Sequence, residues 1–128
     1  MKLLLDTHVF LWLQSSPKRL GGHLGIVTDA SNELSVSAAS SWEIAIKYQI
    51  GRLELPEEPD RYVPSRIHMI GAQALAIEHS HALAVGTLPA LHRDPFDRLL
   101  VAQAQLEGMT ILTADEAVAR YPVETLLI

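Results

Sequence analysis

Apolar residues along this chain gather in short continuous runs separated by longer stretches of mixed polarity. Lys2–Leu5 is such a run, suited to a strand buried on both faces. Thr7–Leu13 reads as a helix stopped by Ser15-Ser16-Pro17, and a weaker helix with glycines near its start follows over Leu20–Ser31. Leu34–Ser37 is a short strand, and Ser40–Ile50 is a helix closed by Gly51. The segment LELPEEPDRY carries two prolines and enters a helix over 59–70. A strand at Leu75–Ile77 and a short helix over Ser80–Gly86 come next, ended by Leu88-Pro89. Pro95–Glu107 is the clearest helix and is closed by Gly108. Met109–Leu112 reads as a strand, Asp115–Arg120 as a short helix and Val123–Leu127 as a final strand. Alternating strands and helices, with strands that are apolar throughout, predict an α/β fold with a parallel sheet covered on both faces.

Composition narrows this picture. The 128 residues suit one domain over 1–128, long enough to bury about two-thirds of its unfolded surface without a disulfide or structural zinc. There is no cysteine, which removes thiolate chemistry and is compatible with a reducing cytoplasm. The start MKLLLDTHVFLWL looks like a secretion signal, but Asp6 and His8 interrupt it and no small-residue cleavage site follows. No apolar run reaches the length of a membrane span. The formal net charge of −5 argues against broad binding to nucleic acid by phosphate neutralisation. It leaves room for a local basic patch, or for a metal ion inside an acidic pocket.

Ligands of such sheets bind at the carboxyl ends of the strands. Four acids fall at strand-to-helix junctions: Asp6 after the first strand, Glu43 near the start of the helix after the second, Asp97 in the first turn of 95–107, and Asp115 in ILTAD. Singly, each has a structural explanation. Asp6 and Asp115 suit helix caps, Ser40-x-x-Glu43 matches a capping box, and Asp97 suits the positive end of a helix dipole. Asp94 before Pro95 has the form of an N-cap. Together, four acids from separate junctions should converge on one edge, where their repulsion asks for a divalent cation. Oxygen ligands without sulfur favour Mg²⁺ or Mn²⁺. His8 and His92 lie near these acids in sequence, but no histidine pair has zinc-ligand spacing at this edge.

The segments LLLDTHVFLW, SSWEIAIK, DRLLVAQA and TAD, in this order and at this spacing, resemble the PIN-domain family. More narrowly they resemble its VapC-type toxins, the ribonuclease halves of toxin–antitoxin pairs. The resemblance runs from Leu3 to Asp115. It implies a three-layer α/β/α fold with a central, mainly parallel sheet. It also implies a Mg²⁺- or Mn²⁺-dependent endoribonuclease, in which metal-activated water cleaves RNA. A cognate antitoxin would neutralise the enzyme, and the chain would form a homodimer. Carried across by motif, the family's four acids fall on Asp6, Glu43, Asp97 and Asp115, with supporting hydroxyls at Thr7 and Thr113. Asp94 is an extra acid, assigned a capping or outer role. Lys47, Arg93 and Arg98 are the candidates for RNA phosphate contact, although Lys47 also suits an i,i+4 pair with Glu43.

Other readings remain open at this point. Trp12 and Trp42 suit core or interface packing more than base stacking. His79 and His81 suit a helix start without a ligand role. A phosphotransfer domain would also place acids at strand ends, but the phosphatase form wants an acid at position 8, which is His. Both phosphotransfer forms want a late lysine, and the last here is Lys47. A PIN-like fold kept only for binding would be expected to lack one or more of the four acids.

Overall fold

The computed structural model describes residues 1–128. Five strands form the sheet: β1 Lys2–Leu5, β2 Glu33–Ser37, β3 Gln73–Leu75, β4 Thr110–Thr113 and β5 Thr125–Leu127. Their order is β3-β2-β1-β4-β5, and all four pairings are parallel. Seven α-helices connect and cover them: α1 Thr7–Ser15, α2 Leu24–Thr28, α3 Ala38–Gln49, α4 Pro59–Met69, α5 His79–Ala84, α6 Pro95–Glu107 and α7 Glu116–Ala119. No helix is long and apolar enough to cross a membrane.

The apolar strands serve two cores because successive side chains leave a strand on opposite faces. Leu3 and Leu5 of β1 join Phe10, Ile44, Tyr62 and Val63 on one side of the sheet. Leu4 joins Leu100, Val101, Ile111 and Val118 on the other. This is the α/β/α sandwich that the sequence predicts. The chain winds outward from β1 through β2 to β3, then restarts at β4 on the other side of β1. The crevice between the ends of β1 and β4 is therefore the topological switch point, where ligands of such sheets bind.

Three boundaries differ from the sequence reading in ways that matter. Helix α3 starts at Ala38, because Ser37 caps it: its Oγ accepts from the Ala39 amide at 3.0 Å. Ser40 and Glu43 thus do not form a capping box. Ser40 lies in the first turn and receives the Thr7 hydroxyl at 2.8 Å, and Glu43 is buried in the helix interior. The expected helix over 20–31 is instead a 3₁₀ segment, Pro17–His23, followed by the short α2, with Gly21 at φ 56° interrupting it. Strand β3 lies at Gln73–Leu75 rather than 75–77, paired from Ser35↔Gln73 to Ser37↔Leu75. It is an exposed edge strand, so burial does not mark its register in the sequence.

Ser37 also donates to Gln103 Oε1 at 2.5 Å, and both residues are fully buried. Gln103 in turn donates to the Ala76 carbonyl at 3.2 Å and joins α6 to the β3 edge. Ser37→Ala removes a cap and leaves Gln103 with an unpaired buried acceptor. It should lower unfolding stability by about 1–3 kcal/mol, read as a shifted urea midpoint at unchanged slope.

Candidate active site

Asp6 leaves β1 in extended conformation, φ −60° and ψ 151°, at the N-cap position of α1. Its amide donates to the Leu112 carbonyl at 3.0 Å, which fixes the end of β1 against β4. The side chain does not cap α1. One carboxylate oxygen accepts from Thr113 Oγ1 at 2.5 Å. The other, Oδ1, is buried and has no partner. Thr113 Oγ1 also accepts from the Asp115 amide at 3.0 Å, so one hydroxyl ties the two junctions together. Thr7 does not reach Asp6. Its hydroxyl links α1 to α3 through Ser40.

Glu43 has the same feature one helix away. Lys47 Nζ holds its Oε2 at 2.5 Å as an i,i+4 pair, while Oε1 is buried without a partner. The contact with Glu43 raises the Lys47 ammonium above the usual lysine range. Asp97 sits in the first turn of α6, and Asp94 caps that helix by accepting from the Phe96 and Asp97 amides at 2.8 and 3.3 Å. Asp115 occupies the N-cap of α7 and accepts from Ala117 N at 2.8 Å.

A cleft of about 570 Å³ at the switch point is lined by Asp6, His8, His92, Asp94, Asp97 and Asp115. Glu43 does not line it but is close enough that its charge acts on both Asp6 and Asp97. A larger cleft of about 770 Å³ lies at the opposite edge, beside the start of β4, and carries a single carboxylate, Glu124. Chemistry therefore favours the smaller cleft.

Burial and then the neighbouring charges of Asp6, Asp94, Glu43 and Asp115 push the Asp97 carboxyl up to about 8. Burial also raises Asp6, against the Thr113 hydrogen bond. Burial would raise Asp115 too, but the His92 hydrogen bond and the Ala117 amide outweigh it and hold this carboxyl below its ordinary value. Two buried, unpaired carboxylate oxygens beside a carboxyl that resists ionisation form a site short of positive charge. The donor set is all oxygen on Asp6, Glu43 and Asp97, which fits a hard divalent cation.

His92 is the site residue that sequence reasoning missed. Its Nε2 lies 2.7 Å from Asp115 Oδ2 and 3.1 Å from Asp97 Oδ2. These three residues could themselves gather around one ion. Arg98, expected to meet phosphate, instead donates to the Val85 carbonyl at 3.1 Å and reaches the His92 carbonyl at 3.5 Å. Arg93 is exposed on the loop. Trp42 is 57% exposed, so of the core or interface packing expected of it the core form does not hold, and it meets Phe96 edge to face at 5.0 Å. Trp12 is half-buried under the Arg19 guanidinium, 4.1 Å from its ring. His81 is fully buried and completes a capping box with Glu78 at the start of α5, away from the acids.

The family model described as "PIN domain" matches residues 3–124. The chain belongs to the PIN-domain family. Two curated relatives come from Mycobacterium tuberculosis. Ribonuclease VapC16 is 46% identical over 56 residues, 44% of this chain and 40% of that protein. Ribonuclease VapC22 is 29% identical over 114 residues, 88% of this chain and 86% of that protein. The aligned segment thus spans well under half of the first relative and most of the second. Among solved structures, the complex of VapBC2 from Rickettsia felis with a promoter DNA fragment contains a chain of the same fold. It superposes with a TM-score of 0.75 at 14% identity, covering 100% of this chain and 99% of that one.

Asp97 gives the metal-free PIN domain a pH-dependent stability with a definite sign. In the unfolded chain its carboxyl ionises near 3.8, and in the folded chain near 8. Its contribution is therefore fully present below about 4 and is lost as pH rises through 8. Asp115 has the opposite sign, but acts only at the acid end, below its ordinary value. Thermal melts in chelator should show Tm falling from pH 5 to pH 9. Asp97→Asn should flatten that slope and stabilise the protein at pH 9 by about 1–3 kcal/mol.

Proposed function

We propose that this chain is a Mg²⁺- or Mn²⁺-dependent endoribonuclease, the toxin partner of an antitoxin protein, acting in the cytoplasm as one domain over residues 1–128. One observation carries the reading: Asp6 Oδ1 and Glu43 Oε1 are buried and without a donor, beside an Asp97 pushed up to about 8. The chain's own groups leave these two oxygens without a donor, a deficit that a divalent cation would relieve. The names of the M. tuberculosis relatives, both ribonucleases, support RNA as the substrate.

Asp6, Glu43 and Asp97 would hold the ion, with Asp115 completing the acidic wall. When bound, Mg²⁺ or Mn²⁺ supplies acidified water and neutralises the charge that develops on a phosphodiester during in-line attack. The protein's own contribution is positioning. Thr113 fixes Asp6 against β4, the Asp94 cap fixes the first turn of α6, and Lys47 fixes one oxygen of Glu43. With a net charge of −5, backbone contacts to RNA must be few and local. Lys47 and the exposed Arg93 are the cations that would make them. Arg98 is committed to the loop carbonyls.

The solved VapBC complexes of the same fold support an antitoxin partner, whose tail would have to cover this acidic cleft. A basic side chain from that tail would satisfy the same charge deficit as a metal. A homodimer suits the exposed apolar residues Trp42, Ile46 and Ile50 along α3.

Purified protein free of antitoxin should cleave unstructured RNA with Mg²⁺ or Mn²⁺ and lose that activity in EDTA. Asp6→Asn and Asp97→Asn should each reduce the rate by roughly 10²-fold or more, since removing a metal ligand should exceed the loss seen for outer groups. Cleavage that survives EDTA, or that both variants retain in full, would refute the nuclease reading.

A further inference from the structure

A second hollow, of about 430 Å³, opens beside the acidic cleft, between α1, α3 and the chain that leaves α3. Its volume falls in the range of sites that hold small organic groups, about 300–1,000 Å³. Leu11, Ile44 and Leu53 give it an apolar floor, and Lys47 and Arg52 line it with positive charge. No carboxylate lines it, whereas the cleft is lined by five. His8 lines both, so a single side chain separates them. The end of α3 explains why the two cations meet. Gly51 takes a left-handed φ of 76°, and the Arg52 amide donates to the Lys47 carbonyl at 2.8 Å. That turn brings Arg52 back beside Lys47. Lys47 donates one N–H to Glu43, and an ammonium has two more. Arg52 is exposed and joins none of the chain's ion pairs, whereas Arg66 is held by Glu57 and Arg98 by loop carbonyls.

Resting on the nuclease reading above, we propose that this hollow is the subsite for an RNA nucleotide flanking the cleaved bond: its base rests on Leu11, Ile44 and Leu53, and its phosphate meets Arg52 and Lys47. The two halves of the hollow match the two halves of a nucleotide. An uncharged base leaves water for an aliphatic floor at little cost, and a phosphate takes charge-assisted N–H donors, best from a guanidinium fork. The acidic cleft repels a polyanion, so a strand needs a positive hold beside it, and a chain of net charge −5 has few to give. The shared wall at His8 lets one strand occupy cleft and hollow together. Only an unpaired base can turn its face to the floor, which makes single-stranded RNA the substrate form. An apolar peptide would suit the floor alone. Two adjacent cations without a carboxylate favour the nucleotide.

The test uses the full chain with Mg²⁺ or Mn²⁺ and a single-stranded RNA oligonucleotide that it cuts at one bond. Arg52→Ala should raise KM about 10-fold, with a smaller change in kcat. It should also lower the slope of log KM against log salt by about 0.7, the loss of one phosphate contact on a single strand. Arg52→Lys should recover part of the affinity. Lys2→Ala, which removes a charge at the start of β1 on the opposite edge, should keep the wild-type KM. An abasic residue placed at each flanking position in turn should raise KM about 10-fold at one of them. In Leu53→Trp, which fills the hollow, that abasic penalty should disappear; Arg52→Ala and the abasic series on wild type decide the matter even if Leu53→Trp fails to fold. Unchanged KM and salt slope in Arg52→Ala, or abasic RNA cut as well as intact RNA at every position, would overturn the proposal. So would variants that weaken only inhibition by the antitoxin, which would mark the hollow as a protein-docking site. Mn²⁺ affinity by EPR of the free ion should be the same in Arg52→Ala as in wild type, and a loss there would assign Arg52 to the metal site instead. A wild type that cuts RNA without these effects removes the subsite alone. A wild type that cuts no RNA with either metal removes the nuclease reading and the subsite with it.

Discussion

Several carboxylates held close together at one edge of a parallel sheet repel one another, and the rest of this structure is arranged around that repulsion. Asp6, Glu43 and Asp97 are all buried, and Asp115 is half-buried beside them. In an environment of low polarizability such a group of like charges is strongly unfavourable unless protons, donors or a cation intervene. The chain uses all three means. Asp97 keeps its proton to an unusually high pH, Thr113 and His92 donate, and Lys47 covers half of Glu43. The remaining deficit at Asp6 Oδ1 and Glu43 Oε1 is what a hard cation would satisfy.

The scaffold bears this strain because the acids are mounted on rigid junctions. β1 is the central strand, fully buried from Leu3 to Leu5 and sandwiched by two apolar cores. Asp6 follows it directly. The segment His92–Arg98 divides its polar tasks: Asp94 caps α6, Asp97 faces the cleft, Arg98 straps the loop carbonyls and His92 spans to Asp115. Two acids three residues apart thus do different work, one satisfying helix amides and the other lining the cleft.

What was legible in the sequence follows from range. The limits of α6 were readable because Asp94-Pro95 and Gly108 are local stop and start signals that the structure keeps, with Gly108 at φ 64°. The sheet class was readable from fully apolar runs such as Leu3–Leu5. The start of α3 was not, because Ser37 and Ser40 are both capable caps. Only the tertiary contact with Thr7 shows that Ser40 is committed elsewhere. His92 was invisible for the same reason: its partner Asp115 is 23 positions away, and no spacing rule links a loop histidine to a helix cap across the sheet edge. Arg98 looked like a free cation because carbonyl acceptors such as that of Val85 leave no mark in a sequence.

In the proposed function, the acids at this sheet edge hold a metal ion. An anomalous difference map from crystals of the free protein grown with Mn²⁺ tests it most directly. The expected result is a peak in the cleft bonded to Asp6 Oδ1 and to carboxylate oxygens of Glu43 or Asp97. A well-ordered site with no peak, and with Asp6 Oδ1 and Glu43 Oε1 still without a partner, would contradict it.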